Sequence, residues 1–360
     1  MIRPDSFTAD DLNDIIRAIE PRDARAAAAA AARHTSLTKP PGSLGRLEEL
    51  SVWLASISGC ERPSIRPRSL ILAAADHGVV EEGVSPYPAE VTAQMVHNFV
   101  AGGAAANVLS RLADVKVVVL DVGVAVDLDR APGLIDRKVR RGTANIARGP
   151  AMSEAQALEA IGAGVEAAES EIRAGARLLV TGDMGIGNTT SAAAVTAALL
   201  PAPVAQVTGR GTGLDDEGLR RKVGVVERAL SNHDPARMSE LQLLAALGGL
   251  EMAALVGAIL AAARSKVPVI LDGFVSGVAA LVAARLALAS MQYVVAGHCS
   301  VEPGHRKILE ALGLRPLLDL EMRLGEGSGA LVALPLLDAA VAVLNEMSTF
   351  SEAGVSRRVG

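Results

Sequence analysis

The chain has 360 residues, of which 50% are apolar, only 2% aromatic and 21% charged, and its formal net charge is −5. A slight acidic excess, no concentrated basic run and few rings for stacking bases argue against nucleic acid as a partner. Two cysteines, Cys60 and Cys299, far apart in sequence, point to reduced thiols rather than a disulfide or zinc framework.

In chain order, Met1 to Asp5 carries no apolar core of a secretory signal, so a cytoplasmic location is expected. Asp23 to Arg33 reads as an alanine-rich helix, Lys39-Pro40-Pro41-Gly42 breaks it, and Ser43 is expected to cap a second helix. That helix carries one apolar stripe, Leu44, Leu47, Leu50, Leu54 and Ile57, which calls for a covering partner. Six apolar runs rich in Val, Ile and Leu then alternate with helical stretches: Ser69 to Ala75, Val115 to Asp121, Arg177 to Thr181, Val267 to Asp272, Met291 to Ala296 and Arg315 to Leu320. The alternation predicts an α/β fold with a doubly wound, mainly parallel sheet of about six strands. Longer apolar stretches contain Glu251, Asp272, Arg285 or Asp338 and read as buried helices rather than membrane spans. A last helix, Ala330 to Met347, has no strand after it. The end segments, 1–62 and 330–360, are therefore expected to form a small helical domain beside a large Rossmann-like α/β domain, 63–329.

Each run leads into polar or glycine residues: Asp76-His77-Gly78, Asp121-Val122-Gly123, Gly182-Asp183, Asp272-Gly273, Gly297-His298 and Arg323-Leu324-Gly325-Glu326-Gly327. Ligands of open α/β sheets sit at the carboxyl ends of the strands, so these residues should line one crevice. The most telling turn is Val180 to Thr190. Gly185, Ile186, Gly187, Asn188, Thr189 and Thr190 can offer backbone amides, a helix N-terminus and three polar side chains to a phosphate. Asn188 stands where a P-loop needs lysine, which argues against a nucleoside triphosphatase. The third glycine of a dinucleotide fingerprint is missing, and only Val204 to Val207 occupy the place of its ribose acid, which weakens a nicotinamide-dependent oxidoreductase.

Glu326, held between glycines in Gly325-Glu326-Gly327-Ser328-Gly329, is a candidate general base. Asp183 either faces a ribose hydroxyl or the reacting centre, or caps its own turn. In the second glycine cluster, Thr208 to Gly213, Arg210 can neutralise an anion together with Lys222 on the following helix. The six histidines lack metal-motif spacing, so neither a metal nor a retained cofactor is expected.

Taken together, Lys39 to Gly45, Ala75 to Val79, Gly182 to Thr190, Gly209 to Gly213 and Arg323 to Ala330 closely resemble the nicotinate-nucleotide:dimethylbenzimidazole phosphoribosyltransferase family, in order and nearly end to end. The resemblance implies transfer of phosphoribose from nicotinate mononucleotide to 5,6-dimethylbenzimidazole, giving α-ribazole 5′-phosphate for the lower ligand of cobalamin. Relatives of this fold also accept adenine or phenolic acceptors. It further implies a homodimer whose partner closes the site, Glu326 as proton acceptor, a phosphate loop at Gly185 to Thr190, and a base pocket around Ser85, Tyr87, Gln94 and Leu324. Family members often carry glutamate where this chain has Asp183, a carboxylate one methylene shorter.

Overall fold

The computed structural model of the chain describes residues 7–356, so Met1 to Asp5, on which the expected cytoplasmic location rests, lies outside the described residues. Three helices come first: α1 (Ala9–Arg17), α2 (Ala24–Ser36) and α3 (Arg46–Ser58). Asp23 caps α2, accepting from the Arg25 and Ala26 amides. Ser43 does not cap α3. Gly45, at φ +51, takes that place, because the chain leaves the Pro40-Pro41 turn in a conformation that suits glycine, while Glu48 receives the Leu44 amide and Lys39.

The body alternates strands and helices: β1 (Arg68–Ala75), α4 (Glu90–Ala101), α5 (Ala105–Ala113), β2 (Lys116–Gly123), β3 (Leu134–Asp136), α6 (Glu154–Arg173), β4 (Leu178–Met184) and α7 (Asn188–Leu199). The short α8 (Val204–Val207), α9 (Asp216–His233), α10 (Glu240–Leu247), α11 (Leu250–Arg264), β5 (Val269–Leu271) and α12 (Phe274–Leu286) follow. The chain ends with β6 (Val294–Ala296), α13 (Pro303–Leu312), α14 (Ser328–Glu346) and α15 (Phe350–Ala353). These six strands pair in parallel in the order β3-β2-β1-β4-β5-β6. The doubly wound expectation holds, and the order reverses between β1 and β4, where such sheets open a crevice.

Two of the expected strands need correction. Arg315 to Leu320 is not a strand: Leu317 and Leu318 donate to Ala296 and Gly297, but Pro316 has no amide and the pairing stops at one bridge, His298 to Leu318. The sixth strand is instead β3, three residues whose signal is too short to read in sequence. The run from Met291 begins in a 3₁₀ turn, and only Val294–Ala296 is strand.

Alternation along β1 divides the core. Ile71, Ala73 and Ala75 face one apolar layer, with side chains of α6, α10, α11 and α12, while Leu70, Leu72 and Ala74 face another, with side chains of α3, α4, α5 and α14. The α3 stripe needs no second subunit to cover it. Leu50 and Leu54 are buried in the second layer with α14, Ile57 in the first, and Leu44 and Leu47 are half-buried. Helix α14 is long and apolar enough to span a bilayer, yet half of that window is buried in the fold, and its Asp338 pairs with Arg66 and Arg68.

Small residues let α6 and α11 approach almost backbone to backbone. A Cβ on Gly164 would lie 1.7 Å from the Ala254 carbonyl oxygen, and one on Gly257 would lie 2.0 Å from that of Ile161. Gly164→Ala should therefore destabilise the chain by at least about 3 kcal/mol, at the upper end of overpacking costs. Denaturant unfolding measures this, and an unchanged midpoint would contradict the close crossing.

Candidate active site

The carboxyl end of β4 meets the turn Gly325-Glu326-Gly327. The Glu326 amide donates to the Asp183 carbonyl at 3.1 Å, and Gly182 lies so close beneath that a Cβ there would come within 2.9 Å of Glu326 backbone. All three residues of the turn have positive φ, +82, +61 and +82, so Glu326 itself is left-handed, a conformation costing a non-glycine residue about 1–2 kcal/mol. Gly329 is needed for another reason: a Cβ there would sit 2.0 Å from the His298 ring. The glycine spacing of this motif is thus the trace of one tightly folded helix start.

The Glu326 side chain is buried and accepts the Ala106 amide at the start of α5 at 3.4 Å. Burial raises its pKa, and the amide opposes that shift. It forms one wall of an open cleft lined also by Tyr87, Val91, Met95, Met184, Ile186, Thr212, Met322, Arg323 and Leu324, about 660 Å³ in volume. Apolar walls, one carboxylate and one guanidinium suit a flat aromatic ring with a polar edge.

Of the sequence candidates, Glu326, Tyr87, Ile186 and Leu324 come together in this cleft, with Tyr87 and Leu324 about half exposed at its rim. Ser85 sits beside it, its hydroxyl 3.2 Å from that of Thr212. Gln94 lies on α4, three residues after Val91 and so near its face of the helix. Arg323, expected at the crevice, lines the cleft and donates to the Gly211 carbonyl, whereas sequence reasoning missed Met95 and Met322, which lie in no motif, and gave Met184 no role.

The polar residues at the other strand ends do not all line the cleft. Several are buried behind it, where they hold turns and helix starts in place. Asp183 is buried and accepts from the Asn188 side-chain amide at 2.9 Å; burial, then the charge of Asp272, holds its carboxyl well above the usual range. Asp272 lies under the start of α14. His77 bonds Glu251 at 2.8 Å and Ser191 at 3.1 Å, bracing the start of α7.

In the turn before α7, the Ile186 amide donates to Thr92, that of Asn188 to Gly185, and that of Thr190 to Gly187. Gly187 has φ +93, and a Cβ there would meet Val80 at 2.7 Å; Gly185 packs beneath Ala75 and His77. Thr190 is fully buried with its hydroxyl unpartnered. Thr189 is different. It receives a 2.7 Å bond from Lys222, whose buried amine also comes near Gly211, with Glu302 facing it and accepting the Gly211 amide. Arg210 turns outward to Asp216 and the Leu214 carbonyl.

Thr189, Gly211 and Lys222 thus meet next to Thr212 of the cleft, an arrangement that can receive an oxyanion. Burial pulls the Lys222 amine down to about 8. Its charge, and the attraction for an anion, is lost as pH rises through that value. Sulfate, whose own charge is constant here, should bind more weakly above pH about 9 than below about 7, and Lys222→Met should abolish the difference. Calorimetry that finds affinity flat across this range would place the anion elsewhere.

A phosphoribosyltransferase family model matches residues 19–355. The chain is 54% identical over 347 residues to a nicotinate-nucleotide–dimethylbenzimidazole phosphoribosyltransferase of Chloroflexus aggregans, spanning 96% of this chain and 98% of that one. It is also 54% identical over 325 residues to a protein of the same name from Thermus thermophilus, spanning 90% and 96% of the two chains. A crystal structure of CobT from Thermus thermophilus superposes with a TM-score of 0.89 at 53% identity, covering 93% of this chain and 100% of the other.

Proposed function

The chain belongs to the nicotinate-nucleotide–dimethylbenzimidazole phosphoribosyltransferase family, and from that premise we propose that it transfers phosphoribose from nicotinate mononucleotide to 5,6-dimethylbenzimidazole with Glu326 as the catalytic base. The observation that carries this reading is a buried carboxylate of raised pKa in the wall of a cleft that can take an aromatic base.

One ring nitrogen of the benzimidazole attacks C1′ as the bond to nicotinate breaks, and the electron pair of that bond neutralises the pyridinium nitrogen. Positive charge passes to the benzimidazole. Glu326 stabilises that charge and removes the proton from the other nitrogen, leaving a neutral ring in α-ribazole 5′-phosphate. Lys222 and Thr189 hold the phosphate, with the Gly185 to Thr190 turn fixing Thr189. Tyr87, Leu324 and the methionines hold the ring. Methionine side chains adapt their shape, so the same walls can receive other aromatic bases in this reading. Asp183, buried beneath Glu326, supports the turn rather than touching substrate.

In the same reading the end segments, 1–62 and 330–360, flank a catalytic body formed by 63–329. The enzyme works in the cytoplasm, and a second copy of the chain closes the cleft over Tyr87 and Leu324.

Nicotinate release assayed with and without dimethylbenzimidazole tests the activity. Release should depend on the base, and release that ignores it would count against transfer. Glu326→Gln should keep nucleotide binding and lose roughly 10²- to 10⁴-fold in turnover, and near-normal turnover would remove Glu326 from the chemistry. Because the base must be ionised, activity should fall with decreasing pH through a value above the ordinary glutamate pKa of about 4.3. Sedimentation at assay concentration should show a dimer, whereas a fully active monomer would contradict closure by a partner.

A further inference from the structure

We propose that Asp272 is a positioning residue for the transfer: from the end of β5 its carboxylate fixes the first turn of α14, and so the place of the Glu326 carboxylate just before it. The inference rests on the reading of Glu326 as base.

Gly327 donates to Asp272 Oδ2 at 3.0 Å, and Gly329 and Ala330 donate to Oδ1 at 2.7 and 3.2 Å. These amides belong to the start of a helix, where intrahelical acceptors are lacking. An N-cap side chain usually fills that need, but the residue at this position is Gly327, with no side chain to offer. The acceptor comes instead from the end of a strand. Asp272 is fully buried, its own amide donates to Thr181 of β4, and His298 stands 3.5 Å from Oδ1. The carboxylate is therefore anchored in the sheet while it grips the helix. Glu326 lies directly before the first gripped amide. Its left-handed backbone, between two glycines free to adopt many other conformations, needs an external restraint, and Asp272 supplies it from one side while the Asp183 carbonyl supplies it from the other.

Asp272→Asn keeps the size of the side chain but turns one acceptor into a donor facing N–H groups. A group misplaced by about 1 Å can cost roughly 10²-fold, so kcat should fall by that order. The affinity for nicotinate mononucleotide, read by calorimetry, should stay within about twofold of wild type, since Lys222 and Thr189 are untouched. In a Glu326→Gln background the same change should alter kcat less than about twofold, because the group it positions has already been lost. Wild-type kcat in Asp272→Asn beside a slow Glu326→Gln, or an equal loss in both backgrounds, would overturn the positioning role alone. Near-normal turnover in Glu326→Gln would instead overturn the reading of the base. Should Asp272→Asn not fold, hydrogen exchange in the unaltered chain decides. The Gly327, Gly329 and Ala330 amides should exchange at least about tenfold slower than in an open chain, and unprotected amides would overturn the proposal.

Discussion

The site depends on a carboxylate that holds a helix by its first amides. Asp272 accepts three backbone N–H groups at the start of α14, and even at the ordinary net value of about 0.5–1.5 kcal/mol each these bonds together contribute about 1.5–4.5 kcal/mol. That offsets the cost of about 1–2 kcal/mol for holding Glu326 left-handed. Burial works against the charge and pushes Asp272 up to about 7, which the surrounding amides counter without cancelling. The strain at Glu326 is thereby sustained by groups that do not line the cleft.

The charges of the site are sorted by task. Asp183, Asp272 and Glu326 gather where β4, β5 and α14 meet, and burial raises the pKa of each. Of the three, Glu326 alone opens into the cleft. One carboxylate in an otherwise apolar wall favours a transition state in which positive charge develops on the attacking ring. The buried ammonium of Lys222 sits beside Thr189 and Gly211, a corner suited to an anion. A substrate with an anionic end and a reacting centre that turns cationic matches both.

Much of this was legible in the sequence because glycine marks backbone geometry directly. Gly325 and Gly327 announced a tight turn around Glu326, which the structure builds with positive φ, and the run into Gly182 and Gly187 announced a strand end followed by a helix. Period and composition implied the parallel sheet. Less legible were features set by distant partners. Nothing local says that Asp272 serves α14, or that the Ile186 amide finds its acceptor in Thr92, because such acceptors are brought up only by packing. Met95, Met184 and Met322 meet in one cleft from three separate segments. Arg315 to Leu320 had the apolar character of a strand, but Pro316 removed the amide that the ladder needed, and β3 was too short to stand out.

A crystal structure of this chain with α-ribazole 5′-phosphate tests most directly whether Glu326, held in place from below, takes the proton of the incoming base while Lys222 and Thr189 hold the phosphate. The expected result is a Glu326 carboxylate oxygen within hydrogen-bond reach of the benzimidazole nitrogen not joined to ribose, and phosphate oxygens on Lys222 and Thr189. A ring whose free nitrogen faces another side chain, or a phosphate seated on Arg210, would contradict it.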